Sequence, residues 1–212
     1  MKKMFAAMLV VAAMMFSALQ AIAGEPQKEP KFYVSAGMSH GYGMDMEFDG
    51  KSIKDAGNSI SNSSGYDLRF GVTPFSFLSL EAEYSSMSNF SITNSEYNTN
   101  TNVKINSLFL NLKLRPVELF VRKPKVSPYF IMGIGTGSFE GTNKNTGESE
   151  NCDCSAHKKI GMGIEANIYK NLYIYSEYSH VNFDWEAKSN ENKVIAIKTR
   201  YDVISLGLGI KF

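Results

Sequence analysis

Charged side chains recur at every second position within several apolar segments of the chain. Glu81 and Glu83 alternate with leucine and alanine, and Lys113 stands between Leu112 and Leu114. This spacing places the charges on one face of a β-strand and the apolar side chains on the other. Carboxylates and ammonium groups that meet in this way could form an ionic network or line a narrow ion path. The residues predicted to share this face are Asp67, Arg69, Glu81, Glu83, Lys113, Lys159, Glu165, Glu177 and Lys211. All of them except Asp67 are predicted to form the ionic network.

His180 is a second candidate for chemistry, because it lies close in sequence to Glu177 and Ser179. A serine, a histidine and a carboxylate together can build an acyl hydrolase. The period of two nevertheless places His180 on the face of Tyr178, opposite Glu177 and Ser179. The other serine–histidine pair, at 39–40, has no evident acid beside it. We therefore predict no catalytic residue.

Two short segments contain metal-ligand residue types. The segment 45–50 resembles a calcium loop, but Glu47 stands where Asp or Asn is usual and Ala56 replaces the bidentate glutamate. Cys152 and Cys154 are separated by one residue, a spacing that permits a disulfide only with strain. His157 is the sole neighbouring ligand, which makes a poor metal site. We predict a strained bridge or free thiols for the cysteines, and neither a metal nor a cofactor.

The N-terminus has the pattern of an export signal. Lys2 and Lys3 precede the apolar run 4–16, and Ala21-Ile22-Ala23 has the small residues of a cleavage site. Residues 1–23 are therefore predicted to be a cleaved signal peptide, and residues 24–212 to form one domain. No later run reaches the ~18 apolar residues of a membrane-spanning helix.

Composition excludes several classes of protein. Of the 212 residues, 43% are hydrophobic and 12% are aromatic, which is too much apolar surface for a disordered chain. The net charge of +1 lacks the basic excess of a nucleic-acid-binding protein.

Eight segments alternate with a period of two: 32–39, 66–72, 78–84, 108–114, 130–135, 159–168, 172–178 and 204–212. A soluble β-sandwich would also alternate. Three features favour a membrane barrel instead: full charges on the polar face, strands about as long as the ~9–11 residues of a tilted crossing, and links that alternate in length. The links 73–77, 115–127 and 169–171 are short, whereas 41–65, 86–102, 139–157 and 183–198 are long and polar. We predict an all-β fold, an eight-stranded antiparallel up-and-down transmembrane β-barrel.

The barrel prediction assigns roles to the remaining aromatic and basic residues. Rings near strand ends are expected to form interfacial belts: Tyr33, Tyr42, Tyr66, Tyr84, Tyr129, Tyr169, Tyr178, Trp185 and Tyr201. Tyr173 and Tyr175 should point inward. The basic run 122–125 is expected to be a solvated periplasmic link. An eight-stranded lumen can be filled by side chains, and because an unpaired charge there is costly, we favour ionic packing over an ion path.

The chain resembles the small bacterial outer-membrane barrels, which include the OmpA transmembrane domain, OmpX and the opacity-type porin family proteins. The similarity lies in the export signal, the eight strands, and Phe212 preceded by Ile210, Leu208, Leu206 and Ile204. Pro128-Tyr129 followed by Gly133, Gly135 and Gly137 is similar to a strand of that family. The resemblance implies that both chain ends are periplasmic, that the barrel contacts outer-membrane lipid and lipopolysaccharide, and that the barrel assembly machinery recognises the C-terminal strand.

The function expected from this resemblance is non-enzymatic: surface interaction, adhesion or envelope maintenance, in which long extracellular loops contact a host or surface ligand. A small gated pore is the alternative. A lipid A-modifying hydrolase is disfavoured. Barrel enzymes of that kind have a His-x-Ser pattern, whereas the corresponding segment here is His180-Val181-Asn182, and an asparagine cannot attack an ester.

Overall fold

The computed structural model describes residues 31–48, 51–53, 58–94, 99–121, 124–147, 149–188 and 194–212. The predicted signal peptide lies outside these ranges and stays a prediction. The long strands are β1 (Lys31–Phe48), β4 (Ser63–Phe75), β5 (Leu78–Asn94), β6 (Thr99–Leu114), β7 (Val126–Asn143), β8 (Ser149–Tyr169), β9 (Leu172–Lys188) and β10 (Val194–Lys211). Two short strands, β2 (Lys51–Ser52) and β3 (Asn58–Ile60), lie between β1 and β4, and one 3₁₀ helix (Pro116–Leu119) lies between β6 and β7.

The long strands form a closed antiparallel barrel. Each pairs with its neighbour in the chain, and β10 pairs with β1 through contacts such as Val34 with Ile210. Closure leaves no open sheet edge, which is the condition for a sheet to cross a bilayer. The predicted eight-stranded barrel is confirmed, and all eight predicted segments lie within its strands apart from Phe212, which follows the end of β10. Among the described residues, no helix is both long and apolar enough to span a membrane.

A lipid-facing belt surrounds the part of the barrel nearest the chain ends. Its side chains are apolar, point outward and are exposed: Val34, Met38, Leu68, Phe70, Phe130, Met132, Ile134, Ile160, Met162, Ile164, Ile204, Leu206, Leu208, Ile210 and Phe212. A continuous apolar surface of this size is stable only against lipid. We call this part of the barrel the membrane section.

The strands continue well past the belt, so the prediction of four long irregular loops is wrong. The barrel strands run from 13 residues in β4 to 21 in β8, against the ~9–11 that a tilted crossing needs. β5 reaches Asn94 and β6 begins at Thr99, which places most of the expected loop 86–102 in strands. This outer section, on the side away from the chain ends, projects from the membrane as a further length of barrel.

Two β-bulges change which side chains face the lumen at the start of the outer section. In β1 the register shifts between Tyr42 and Asp45, where Gly43 has a φ of 65°. That left-handed conformation suits glycine and is typical of a bulge. Beyond the bulge, Met44 and Met46 are buried, although strict alternation would turn them outward. A second shift, between Met87 and Phe90 in β5, similarly turns Phe90 into the barrel.

Three of the tyrosines predicted for the interfacial belt lie inside the barrel instead. Tyr33, Tyr129 and Tyr201 are each at most 2% exposed. Tyr33 and Tyr129 share the inward parity of their strands, and each has a carboxylate within hydrogen-bond distance of its hydroxyl. Among the other members, Tyr66, Tyr84, Tyr169 and Tyr178 are exposed as predicted, and the side chain of Trp185 lies outside the described residues.

Glycine makes room for these inward rings. At Gly163, an added Cβ would overlap the Tyr129 ring and lie 2.6 Å from the Ser176 carbonyl oxygen. We expect Gly163→Ala to lower the free energy of unfolding by about 1–3 kcal/mol through overpacking. Gly141→Ala is the matched control, because its nearest neighbour, on Phe139, would be 3.5 Å away. Denaturant unfolding of both variants in lipid vesicles tests this, and an equal shift would contradict the role of Gly163.

Candidate functional site

Arg69 lies at the centre of the lumen of the membrane section. Its guanidinium donates two hydrogen bonds to Glu177, at 2.7 and 3.3 Å, and one to Asp67 at 2.6 Å. Its carbon Cζ lies 4.5 Å from the centre of the Tyr175 ring. The side chain is buried, so these contacts take the place of water around the charge.

Lys159 and Glu83 continue the network toward the outer section. The ammonium of Lys159 lies 2.7 Å from a Glu83 oxygen and 2.8 Å from a Glu177 oxygen. Asn111 donates a hydrogen bond of 2.7 Å to Glu83. Glu177 is therefore shared by Arg69 and Lys159, which joins the two groups into one network.

Glu165 organises the end of the network that lies nearest the chain ends. It accepts hydrogen bonds from Arg115 at 3.1 and 3.2 Å and from Lys113 at 3.2 Å, and Lys211 lies 3.5 Å away. Lys113 also reaches Glu81 at 2.9 Å. Arg69 lies 3.9 Å from Glu81, so all eight residues predicted for the ionic network are placed in one connected cluster.

Two further charged residues of this cluster are absent from the predicted set. Asp67 has the right parity but was not included, and Arg115 was assigned to the link although it continues the alternation of Asn111 and Lys113. Both are at most 2% exposed and bonded within the cluster. With them, the ionic network balances five cations against five carboxylates: Arg69, Lys113, Arg115, Lys159 and Lys211, with Asp67, Glu81, Glu83, Glu165 and Glu177.

The lumen of the outer section is filled by apolar side chains. This apolar plug consists of Met44, Met46, Met87, Phe90, Val103, Ile105, Phe109, Phe139, Val181, Phe183, Ile197, Tyr201 and Val203. The Tyr201 ring meets Phe90 and Phe183 edge to face, with ring centres 5.6 and 6.3 Å apart, respectively. The plug was not predicted, although Val103 with Ile105 and Val181 with Phe183 alternate with polar residues beside or at the start of the predicted loops 86–102 and 183–198.

His157 lies at the boundary between the plug and the ionic network. Its ring stacks on Phe183 at 4.5 Å, and its Nδ1 is 2.9 Å from the Ser107 hydroxyl. Nearby, the ammonium of Lys159 lies 5.7 Å from the centre of the Phe109 ring. The change from ionic to apolar packing is therefore continuous, with aromatic rings on both sides of the boundary.

The surface of the outer section that faces away from the lumen is polar. Exposed residues there include Lys104, Lys158, Asn182, Asp184, Lys198 and Arg200. Arg200 contacts both Asp45 and Glu47, two residues of the segment considered as a calcium loop. Within the described ranges, no group of three or more His, Cys, Asp or Glu residues is placed to hold a metal ion.

The residues considered for hydrolysis are not brought together. Ser179 and Glu177 are buried in the lumen, whereas His180 is on the outer face and contacts Asp202 at 2.8 Å. Asn182 is exposed two residues further along. Ser39 faces the lumen and donates a hydrogen bond to Asp67, whereas its neighbour His40 lies on the opposite face of β1. The barrel wall thus separates the serine and carboxylate from His180.

The two cysteines lie on β8 and not in a loop as predicted. Cys152 pairs with Phe139, and Cys154 pairs with Gly137. Their side chains lie outside the described residues, so the choice between a strained disulfide and free thiols stays a prediction.

A closed barrel with an apolar outer belt and a charged, paired interior defines an integral β-barrel protein of the bacterial outer membrane. The family model for the outer membrane protein beta-barrel domain matches residues 9–212, and the chain belongs to that family. No curated protein sequence matches the chain.

Several solved structures share this fold. OprG from Pseudomonas aeruginosa has a TM-score of 0.61 at 12% identity, over 88% of this chain and 97% of that one. Neisserial surface protein A has a TM-score of 0.59 at 16% identity, over 85% and 97%. Ail of Yersinia pestis, solved in complex with the heparin analogue sucrose octasulfate, has a TM-score of 0.50 at 18% identity, over 87% and 99%. At these identities the likeness concerns the fold alone.

Proposed function

We propose that the protein is a non-enzymatic surface-interaction barrel that does not conduct. The observation that carries this proposal is the filling of the lumen along both sections, by the ionic network and then by the apolar plug. The outer section, in turn, presents a rigid polar wall to the medium. A rigid scaffold that displays polar residues is well suited to bind a partner on another surface.

Conductance distinguishes this proposal from the alternative of a small gated pore. We expect the purified barrel in planar bilayers to give no stable conductance steps, because paired side chains occupy the path of an ion. A pore through the ionic network would instead give steps that Glu83→Ala alters, since Glu83 lies within the lumen beside Lys159. Such steps would end the non-conducting proposal.

Attachment tests the surface-interaction part. Cells that express the protein should adhere to host-cell monolayers more than cells that carry an empty vector. A variant with Lys158→Ala, Asn182→Ala and Asp184→Ala should lose most of that gain, because all three side chains are exposed on the outer section. Lys170→Ala, at the opposite end of the barrel, is the control. Equal adhesion by all strains would reject an attachment role.

A further inference from the structure

The periplasmic link between β6 and β7 exposes three consecutive apolar side chains. Leu119, Phe120 and Val121 are 57%, 87% and 49% exposed. An exposed phenylalanine flanked by two aliphatic residues is unfavourable in water and favourable at a membrane interface. The link begins after Leu114, at the end of β6, and ends at Val126, an outward-facing residue that is 51% exposed. The link therefore joins two strands at the periplasmic margin of the lipid-facing belt, and its three apolar side chains are exposed there.

A basic cavity lies beside this link at the periplasmic mouth of the barrel. It has a volume of about 390 Å³, and its lining includes Lys31, Arg115, Lys125, Lys170 and Lys211, with Glu118 as the one acidic side chain among the described lining residues. Glu118 is already engaged, because it accepts a hydrogen bond from Ser127 and lies 3.9 Å from Arg115.

Three of these cations are available to a ligand. Lys31, Lys125 and Lys170 are exposed, and none forms an ion pair with a described residue. Arg115 and Lys211 both pair with Glu165, and Arg115 also lies 3.9 Å from Glu118. The mouth of the barrel thus carries an excess of positive charge at the level of the inner-leaflet headgroups.

We propose that this periplasmic rim binds an anionic phospholipid of the inner leaflet. The side chains of Leu119, Phe120 and Val121 insert among the acyl chains, and the lysines of the mouth bind the phosphodiester. Two independent features support the same ligand: the exposed apolar residues lie on a link between two strands of the belt, and the adjacent charge complements a phosphate group. This site lies at the end of the barrel opposite the outer section, so it does not depend on the proposed surface interaction.

Insertion depth tests the apolar half of the proposal. Trp185→Phe removes the only tryptophan, and Phe120→Trp in that background adds a reporter at an exposed position that packing does not constrain. In vesicles that contain brominated phospholipid, we expect blue-shifted emission and at least a twofold loss of intensity. Emission typical of water, quenched by acrylamide and unaffected by the brominated lipid, would overturn the insertion.

Headgroup selectivity tests the basic half. Native mass spectrometry of the detergent-released barrel should show several-fold more bound phosphatidylglycerol than phosphatidylcholine. A variant that combines Lys31→Gln, Lys125→Gln and Lys170→Gln should lose that preference. The control variant, with the same change at Lys104, Lys144 and Lys158 at the other end of the barrel, should keep it. Equal retention of both lipids would refute the site. Bound inorganic phosphate in place of lipid in the same spectra would show that the lysines form a site for the free ion, and would also overturn the proposal.

Discussion

Replacing Arg69 by methionine is expected to lower the free energy of unfolding by about 3–5 kcal/mol, the cost of breaking a buried ion pair on one side. The guanidinium is 2% exposed and donates to both Glu177 and Asp67. Without the guanidinium, the carboxylates of Glu177 and Asp67 remain in the lumen, and their other partners cannot neutralise both charges. Glu177 keeps Lys159, but Asp67 keeps only the hydroxyls of Tyr175 and Ser39 as hydrogen-bond donors.

Guanidinium-chloride unfolding in lipid vesicles, followed by the fluorescence of Trp185, measures this effect. Arg200→Met is the matched control, because Arg200 also contacts two carboxylates but is 48% exposed on the outer wall. An exposed pair contributes about 0–1 kcal/mol, so this variant should unfold close to the wild type. Comparable small losses in both variants would mean that the ionic network does not hold the lumen together.

A double-mutant cycle separates the lost pair from the stranded charge. Adding Glu177→Gln to Arg69→Met removes one of the two carboxylates that lose the guanidinium, so the network again holds as many cations as carboxylates. We expect this second change to recover part of the loss. If the double variant is less stable than Arg69→Met alone by the full cost of Glu177→Gln, the two side chains act independently. That result would contradict a shared network.

The ionic interior could be predicted from the sequence because it depends only on the period of two. Once Glu81 and Glu83 share a face with Lys113, a closed barrel places them in one lumen. The pairing partners could not be predicted, since contacts such as Arg69 with Glu177 join β4 to β9 across the barrel and depend on strand tilt and stagger. Arg115 was missed for a different reason: the proline that follows it indicates a turn, although its side chain still points inward.

The outer section was missed because its composition resembles that of loops. Asparagine is depleted in strands. It nevertheless occurs on both sides of Val103 and Ile105, at positions 100, 102 and 106. In the structure these asparagines face outward or sit at the end of β6, and the two apolar residues enter the plug. The bulge at Gly43 adds a second obstacle, because it reverses the parity on which the prediction depends.

The two sections of the barrel solve opposite solvation problems with the same strands. In the membrane section, the outer face meets lipid and must be apolar, so polar groups are confined to the lumen and must pair there. In the outer section, both faces would meet water if the lumen were open, so burial of apolar side chains inside supplies the driving force for closure. The polarity of the wall therefore inverts along each strand at about the level of His157.

This inversion predicts that the outer section is stabilised as a soluble core is. Phe183→Ala should lower the free energy of unfolding by about 3–5 kcal/mol, because it removes a 1%-exposed ring and leaves a cavity. The ring packs on His157 and Tyr201, which belong to neighbouring strands and cannot close the gap without moving the backbone.

Asp184→Ala is the control for that variant, since Asp184 is the next residue, points outward and is exposed. A surface change of this kind should alter stability by no more than about 0.5 kcal/mol. Denaturant unfolding followed by the circular dichroism of the strands reports both variants independently of Trp185, which lies close to the site. If Phe183→Ala and Asp184→Ala unfold at the same denaturant concentration, the lumen beyond the membrane is not a packed core, and the inference that the barrel is closed to ions loses its support in the outer section.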